Sequence, residues 1–134
     1  MSQAEAGVEV VDLWTQPLHG DTWARGKFVL ISEPDRLWLV MGPVSEFAYH
    51  ANLVDRFCRD HQILCSWVRP RDMVEIHDKG IKMLGGGFVE MNAIKRKVRF
   101  SGSSKAYGSC PELELRRVVA HHAKFATQSV QIDV

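Results

Sequence analysis

The sequence predicts an α/β fold, a single mixed, largely antiparallel sheet carrying two helices, packed one on each face or both on one. Three observations lead there. Apolar runs of strand length outnumber segments with helical spacing; short turn-rich gaps join neighbouring runs as hairpins do; and only two stretches read as helices, one from its apolar spacing and one from its start signals. With 134 residues, 46% of them hydrophobic, the chain is sized for one core, so residues 1–134 read as a single domain.

Val8 to Leu13 is the first β-rich run. Gly26 to Ser32 is the second, followed by the turn-like Glu33-Pro34-Asp35 and a third run from Leu37 to Met41, which together predict a hairpin stopped by Gly42-Pro43. From Ser45 the spacing changes. Phe47, Ala51, Val54, Phe57 and Cys58 recur at three and four residues, with Glu46 in the first turn, which predicts a helix from near Ser45 to near His61. Between Leu64 and Asp78, Arg69-Pro70-Arg71-Asp72 is turn-like and Met73 to His77 fits a helical turn or a strand, so the form of this excursion stays open. Ile81 to Met91 and Lys97 to Ser103 predict a second hairpin through Asn92 to Arg96. Ser109 and Glu112 have the spacing of a capping box, with Pro111 in the first turn, and Leu113, Val118 and Val119 anchor a second helix ending near His122. The last eight residues alternate, placing Val130, Ile132 and Val134 on one face of a final strand.

Composition removes several function classes. The longest apolar runs, Lys27 to Ile31 and Leu37 to Met41, are far short of the roughly 20 residues that cross a bilayer, so no membrane partner is expected. The start, Met1 to Gly7, lacks the basic and apolar regions of a secretory signal, which predicts a cytoplasmic protein. Cys58, Cys65 and Cys110 are odd in number and lack C-x-x-C spacing, so reduced thiols are expected rather than a disulfide framework or a cysteine zinc site. The six histidines have neither H-E-x-x-H nor other ligand spacing, so no metal is expected. A net charge of +1 offers no field for nucleic acid. Lys95, Lys97 and Arg99 would share one face of a strand, as a solvated edge or a polyanion site; an RNA-binding reading of that strand has only Phe100 as a nearby aromatic.

Four segments can carry chemistry. Gly85-Gly86-Gly87 inside a strand marks a bulge or a close approach by backbone or ligand. The loop Gly102 to Gly108, small and rich in hydroxyls at Ser103 and Ser104, suits a nest of N–H groups for phosphate, or is a simple polar turn; no Lys-Ser or Lys-Thr follows its last glycine, which speaks against a nucleoside triphosphate. His50, near a helix N-terminus, meets a macrodipole that keeps its ring neutral and nucleophilic and draws an anion to the same end. Lys27 heads an apolar strand, and by itself reads as a solvated lysine.

In this order, Lys27-Phe-Val-Leu-Ile31, Tyr49-His-Ala-Asn-Leu-Val-Asp55, Leu84-Gly-Gly-Gly87 and Ser104-Lys-Ala-Tyr-Gly108 resemble the janus/ocnus family of phosphohistidine-phosphatase-like proteins. The resemblance implies a six-stranded sheet flanked by two helices, no cofactor and no metal. It further implies a phosphatase that hydrolyses phosphohistidine, with phospholysine as a second substrate, in phosphorylated protein partners. By the same resemblance His50 is the nucleophile and Lys27 the conserved lysine; Tyr49, Ser104, Lys105, Ala106 and Gly86 bind substrate. Where better-known animal members carry arginines, before the helix and after the glycine triplet, this chain has Gly42 and Phe88. The lost charge leaves open a second function, a catalytically weak phospho-ligand or protein-binding module on the same fold. The excursion from Ser66 to Asp78 is longer than the family implies, and its Trp67 and Arg69 suit a lid, a dimer contact or an extra strand; a monomer or weak homodimer is expected.

Overall fold

The structure, a computed structural model, describes residues 7–69 and 72–134. The reading of the first six residues as leaderless, and Pro70 and Arg71 of the expected turn, lie outside the described residues. The elements follow in the order β1 (Val8–Asp12), β2 (Ala24–Glu33), β3 (Arg36–Pro43), α1 (His50–Asp60), β4 (Cys65–Arg69), β5 (Met73–Ile76), β6 (Lys82–Asn92), β7 (Lys97–Ser101), α2 (Glu112–His121) and β8 (Ser129–Asp133). A 3-10 turn, Ala123–Phe125, follows α2.

Six strands form one sheet in the order β1-β3-β2-β6-β7-β8, while β4 and β5 pair separately. The central pairings β3-β2, β2-β6 and β6-β7 are antiparallel, and the two outer ones, β1-β3 and β7-β8, are parallel. This is the mixed, largely antiparallel α/β sheet expected, with one helix on each face. Because side chains alternate across a strand, Phe28 and Leu30 of β2 face α2, and Val29 and Ile31 face α1. The α2 face gathers Phe28, Leu39, Val89, Phe100, Leu115, Val118 and Phe125, with the Phe28 and Phe100 rings edge to face at 5.2 Å. The α1 face gathers Val29, Ile31, Val40, Leu53, Val54, Phe57 and Cys58, and extends to Val74 of β5.

Several local expectations are corrected. The first helix starts at His50 rather than Ser45, because the N–H groups of Glu46 and Phe47 both donate to the Pro43 carbonyl in a turn that precedes the helix. The first helical turn consequently holds no acidic residue. Ser109 and Glu112 form no capping box: Pro111 is the N-cap and Ser109 bridges Gly86 instead. Leu113 is not an anchor, being 80% exposed, and Leu115 takes its place in the core. The open segment from Leu64 to Asp78 becomes the β4-β5 pair, with Trp67 and Arg69 on β4. Lys95 falls in the turn before β7, so only Lys97 and Arg99 share a strand face. Cys58, Cys65 and Cys110 are free thiols. Among the described residues no helix is long and apolar enough to cross a membrane.

Candidate active site

The turn after β3 delivers the chain to α1 so that His50 is its first helical residue. Tyr49 caps it: the Tyr49 N–H donates to Oδ1 of Asn52 at 2.9 Å, and the Asn52 N–H donates to the Tyr49 carbonyl at 3.0 Å. The His50 ring is buried, with Nε2 2.7 Å from the carbonyl oxygen of Gly87. A carbonyl only accepts, so the proton sits on Nε2, and the neutral ring carries its lone pair on Nδ1. No hydrogen bond among the described residues engages Nδ1. Burial, the largest influence, holds the His50 pKa below its ordinary 6.5; the Gly87 carbonyl opposes this by favouring the charged ring, and the Lys27 ammonium adds repulsion. The helix N-terminus acts in the same direction as burial.

The glycine triplet lets the ring come this close. A Cβ on Gly86 would stand 2.6 Å from the Phe28 carbonyl oxygen and 3.2 Å from Cδ2 of His50. Gly85, at φ +146, has a conformation that side chains rarely adopt, and a Cβ there would collide with the Ser109 carbonyl. The triplet itself pairs in regular register, Gly85, Gly86 and Gly87 facing Leu30, Val29 and Phe28; the β2-β6 register shifts just before it, between Leu30 and Ile31, where Leu84 is skipped.

Lys27 lies inside β2 rather than at its head, directly opposite Phe88 of β6. Its Nζ is 5.6 Å from the centre of the Phe88 ring, and that ring stands edge to face with His50 at 5.5 Å. Desolvation, and then the charge of Arg25, hold the Lys27 pKa below the ordinary 10.5.

The loop after β7 closes on itself. Ser104 and Gly108 exchange two backbone hydrogen bonds, N–H to carbonyl at 3.1 and 2.8 Å, and the Ser104 hydroxyl accepts from the Tyr107 N–H at 3.1 Å. The Ser104 N–H is therefore committed and its side chain buried, which leaves the N–H groups of Lys105 and Ala106 as the donors at the tip without partners among the described residues. Tyr107 turns the other way, its hydroxyl donating to the Val74 carbonyl at 2.9 Å and accepting from the Val74 N–H at 2.8 Å. The loop is thereby fastened to β5.

These parts surround a cleft of about 480 Å³ lined by Lys27, Ala48, Tyr49, His50, Asp72, Phe88, Ser103, Lys105 and Ala106. Of the residues singled out in the sequence, Lys27, Tyr49, His50, Lys105 and Ala106 meet there. Ser104 and Gly86 do not line it: Ser104 shapes the loop, and Gly86 lies against the His50 ring, its N–H given to the Gly108 carbonyl at 3.1 Å. Ser103 supplies the wall hydroxyl in place of Ser104. Asp72 and Ala48 were not foreseen; Asp72 arrives with the β4-β5 pair and is bridged to Arg69 at 3.2 Å. The two departures differ in consequence. Phe88 forms part of the wall, whereas at Gly42 the Phe47 ring fills the space a side chain would need, with ring carbons 2.6 Å from the Cβ position.

Chemically, the cleft offers one neutral nucleophile or base, two lysines, a hydroxyl and free N–H donors. That set suits a tetrahedral anion. Among the described residues no three histidine, cysteine or acidic side chains cluster as a metal would need. The model of the Janus/Ocnus family matches residues 27–129, a span from Lys27 to the first residue of β8. No curated protein matches the chain.

Proposed function

We propose that this chain, which belongs to the Janus/Ocnus family, is a phosphatase that hydrolyses phosphohistidine, and phospholysine beside it, in proteins, with His50 as the nucleophile. The observation that carries this reading is the single anchor of the His50 ring, Nε2–H on the Gly87 carbonyl, beside Lys27 in the cleft.

In the first step the Nδ1 lone pair forms a bond to phosphorus as the substrate's P–N bond breaks. The substrate imidazole, bound already protonated on its other ring nitrogen, keeps that proton and departs neutral. His50, phosphorylated on Nδ1 and still protonated on Nε2, is then a cationic ring whose N–H+ is held by the Gly87 carbonyl. Water attacks phosphorus in the second step, the P–Nδ1 bond breaks, and His50 leaves as the neutral tautomer it started as, so the carbonyl keeps one proton in place throughout. Lys27 and the Lys105 and Ala106 N–H groups offset charge on the non-bridging oxygens. Transfer between two imidazoles is nearly balanced in energy, which suits phosphoramidate substrates to this cleft.

Incubation with labelled phosphoramidate tests the route. An acid-labile, alkali-stable phosphoenzyme should be trapped on the wild type and not on His50→Ala, and the variant should lose about 10³-fold or more in turnover. Turnover without a trapped intermediate under single-turnover conditions would make His50 a general base on water. The apolar Phe88 wall favours the second reading, a weak or inactive phospho-ligand module; binding without turnover by the wild type would select it.

A further inference from the structure

The α1 face of the sheet is only half covered. Helix α1 packs over β2 and β3, and on β6, β7 and β8 the same face carries Phe88, Glu90, Lys97, Arg99, Ser101 and Asp133, none of them buried, with Asn92 the buried polar residue at its far end. This uncovered area is continuous with the cleft, because Lys27 and Phe88 belong to both. Along it, Glu90 sits between two arginines, 3.9 Å from Arg25 and 3.3 Å from Arg99. The Arg99 guanidinium also stacks 4.6 Å from the Trp23 ring, and that of Arg25 lies 5.8 Å from the centre of the Phe88 ring. One carboxylate shared by two guanidinium groups leaves a net positive charge and several N–H donors turned to solvent, in a planar geometry that matches carboxylates.

Resting on the phosphatase reading above, we infer that this open sheet face docks the polypeptide around the phosphorylated residue and selects an acidic side chain on it, with Arg99 as the main contact. Strand spacing and rise put Arg99 about 12 Å from Lys27, two strands across and two residues along. An extended peptide covers that in about three to four residues, which sets the position of the acidic residue relative to the phosphorylated one. A nucleic acid fits less well: Glu90 stands in the middle of the track, where a phosphodiester chain would meet it, and Trp23 is the one exposed-side aromatic beside Arg99.

Two peptides bearing a non-hydrolysable phosphohistidine mimic, identical except for Glu or Gln three and four residues away, are titrated into wild type, Arg99→Gln and Arg99→Glu at low and high salt. Wild type should bind the Glu peptide about fivefold more tightly than the Gln peptide at low salt. That preference should vanish in Arg99→Gln, reverse in Arg99→Glu, and fade at high salt. Equal binding of the two peptides by wild type, no binding of either, or a preference that survives Arg99→Glu overturns the inference. So does displacement of the Glu peptide by a single-stranded RNA oligonucleotide from wild type at equal or lower concentration. Phosphoramidate turnover by the same preparations reports separately on the chemistry: its absence alongside an intact Glu preference would sink the phosphatase and keep the docking face.

Discussion

On the α2 face of the sheet, apolar side chains from all six strands meet Leu115, Val118 and Phe125 in one continuous patch, whereas on the α1 face the apolar patch thins out beyond β2 and gives way to Lys27, Phe88, Glu90 and Arg99. The same strands supply both faces, so the difference lies only in which alternate residue is apolar. The lesson is one of division of labour. Burial on the α2 side holds the sheet together, which leaves the other side free to keep cations and an imidazole partly dehydrated beside open solvent. His50, the first residue of α1, sits at the border between the half of this face that the helix covers and the half left open, and its lowered pKa comes first from burial there.

The comparison breaks most visibly if the faces are coupled. Phe100 is fully buried on the α2 face, edge to face with Phe28 and 6.0 Å from Phe125. Phe100→Ala should cost about 3–5 kcal/mol in urea unfolding, while phosphoramidate turnover per folded molecule stays at the wild-type value. A loss of turnover in the folded fraction would show that the packed face sets the geometry of the cleft.

Lys27→Met makes the opposite cut. It should lower kcat/KM for phosphoramidate about 10²-fold and change stability by less than about 0.5 kcal/mol. The pH profile sharpens the point. The proposed route needs His50 neutral and Lys27 charged, so the acid limb should fall below pH 6.5 and the alkaline limb below 10.5, both pKa values being lowered. Removing Lys27 should erase the alkaline limb. It should also move the acid limb upward, since the ammonium is one of the influences that depress His50. The stability linked to a neutral His50 is fully present above its unfolded value of about 6.5 and is lost as pH falls through the folded one. An acid limb unmoved in the variant would mean that His50 and Lys27 do not sense each other.

How much of this was legible in the sequence follows the range of the interactions. The six sheet strands and their hairpins rest on local alternation and turn residues, and these were readable. The start of α1 was not, because Phe47 keeps the helical spacing and is buried, yet reaches the core from a turn hung on Pro43. On α2, Leu113 and Leu115 are two positions apart, about 200° around a helix, so only one can face the core, and the neighbouring layer decides which. The order of the four site segments marked Lys27, His50, Lys105 and Ala106, which do meet. The division of work inside the loop was hidden: Ser104 spends its N–H on Gly108, four residues away, and only the folded loop reveals that Lys105 and Ala106 keep theirs.

The smallest predicted effect concerns the least legible part, the β4-β5 pair, whose tie to the cleft spans 33 residues of sequence. Tyr107 holds both polar groups of Val74, and burial pushes its phenol up to about 12, so the hydroxyl stays protonated and able to donate at neutral pH. Tyr107→Phe leaves those two backbone groups without their partner at a residue that is 1% exposed. The expected cost is about 1–3 kcal/mol, felt locally as faster hydrogen exchange at the Val74 amide. Turnover should drop only slightly, because the loop closes through Ser104 and Gly108 without the phenol, and Asp72, the one cleft residue next to β5, is not assigned a catalytic part. Unchanged exchange at Val74 would mean that β5 is held by its packing on α1 alone, and the loop and the strand pair would then be neighbours rather than one unit.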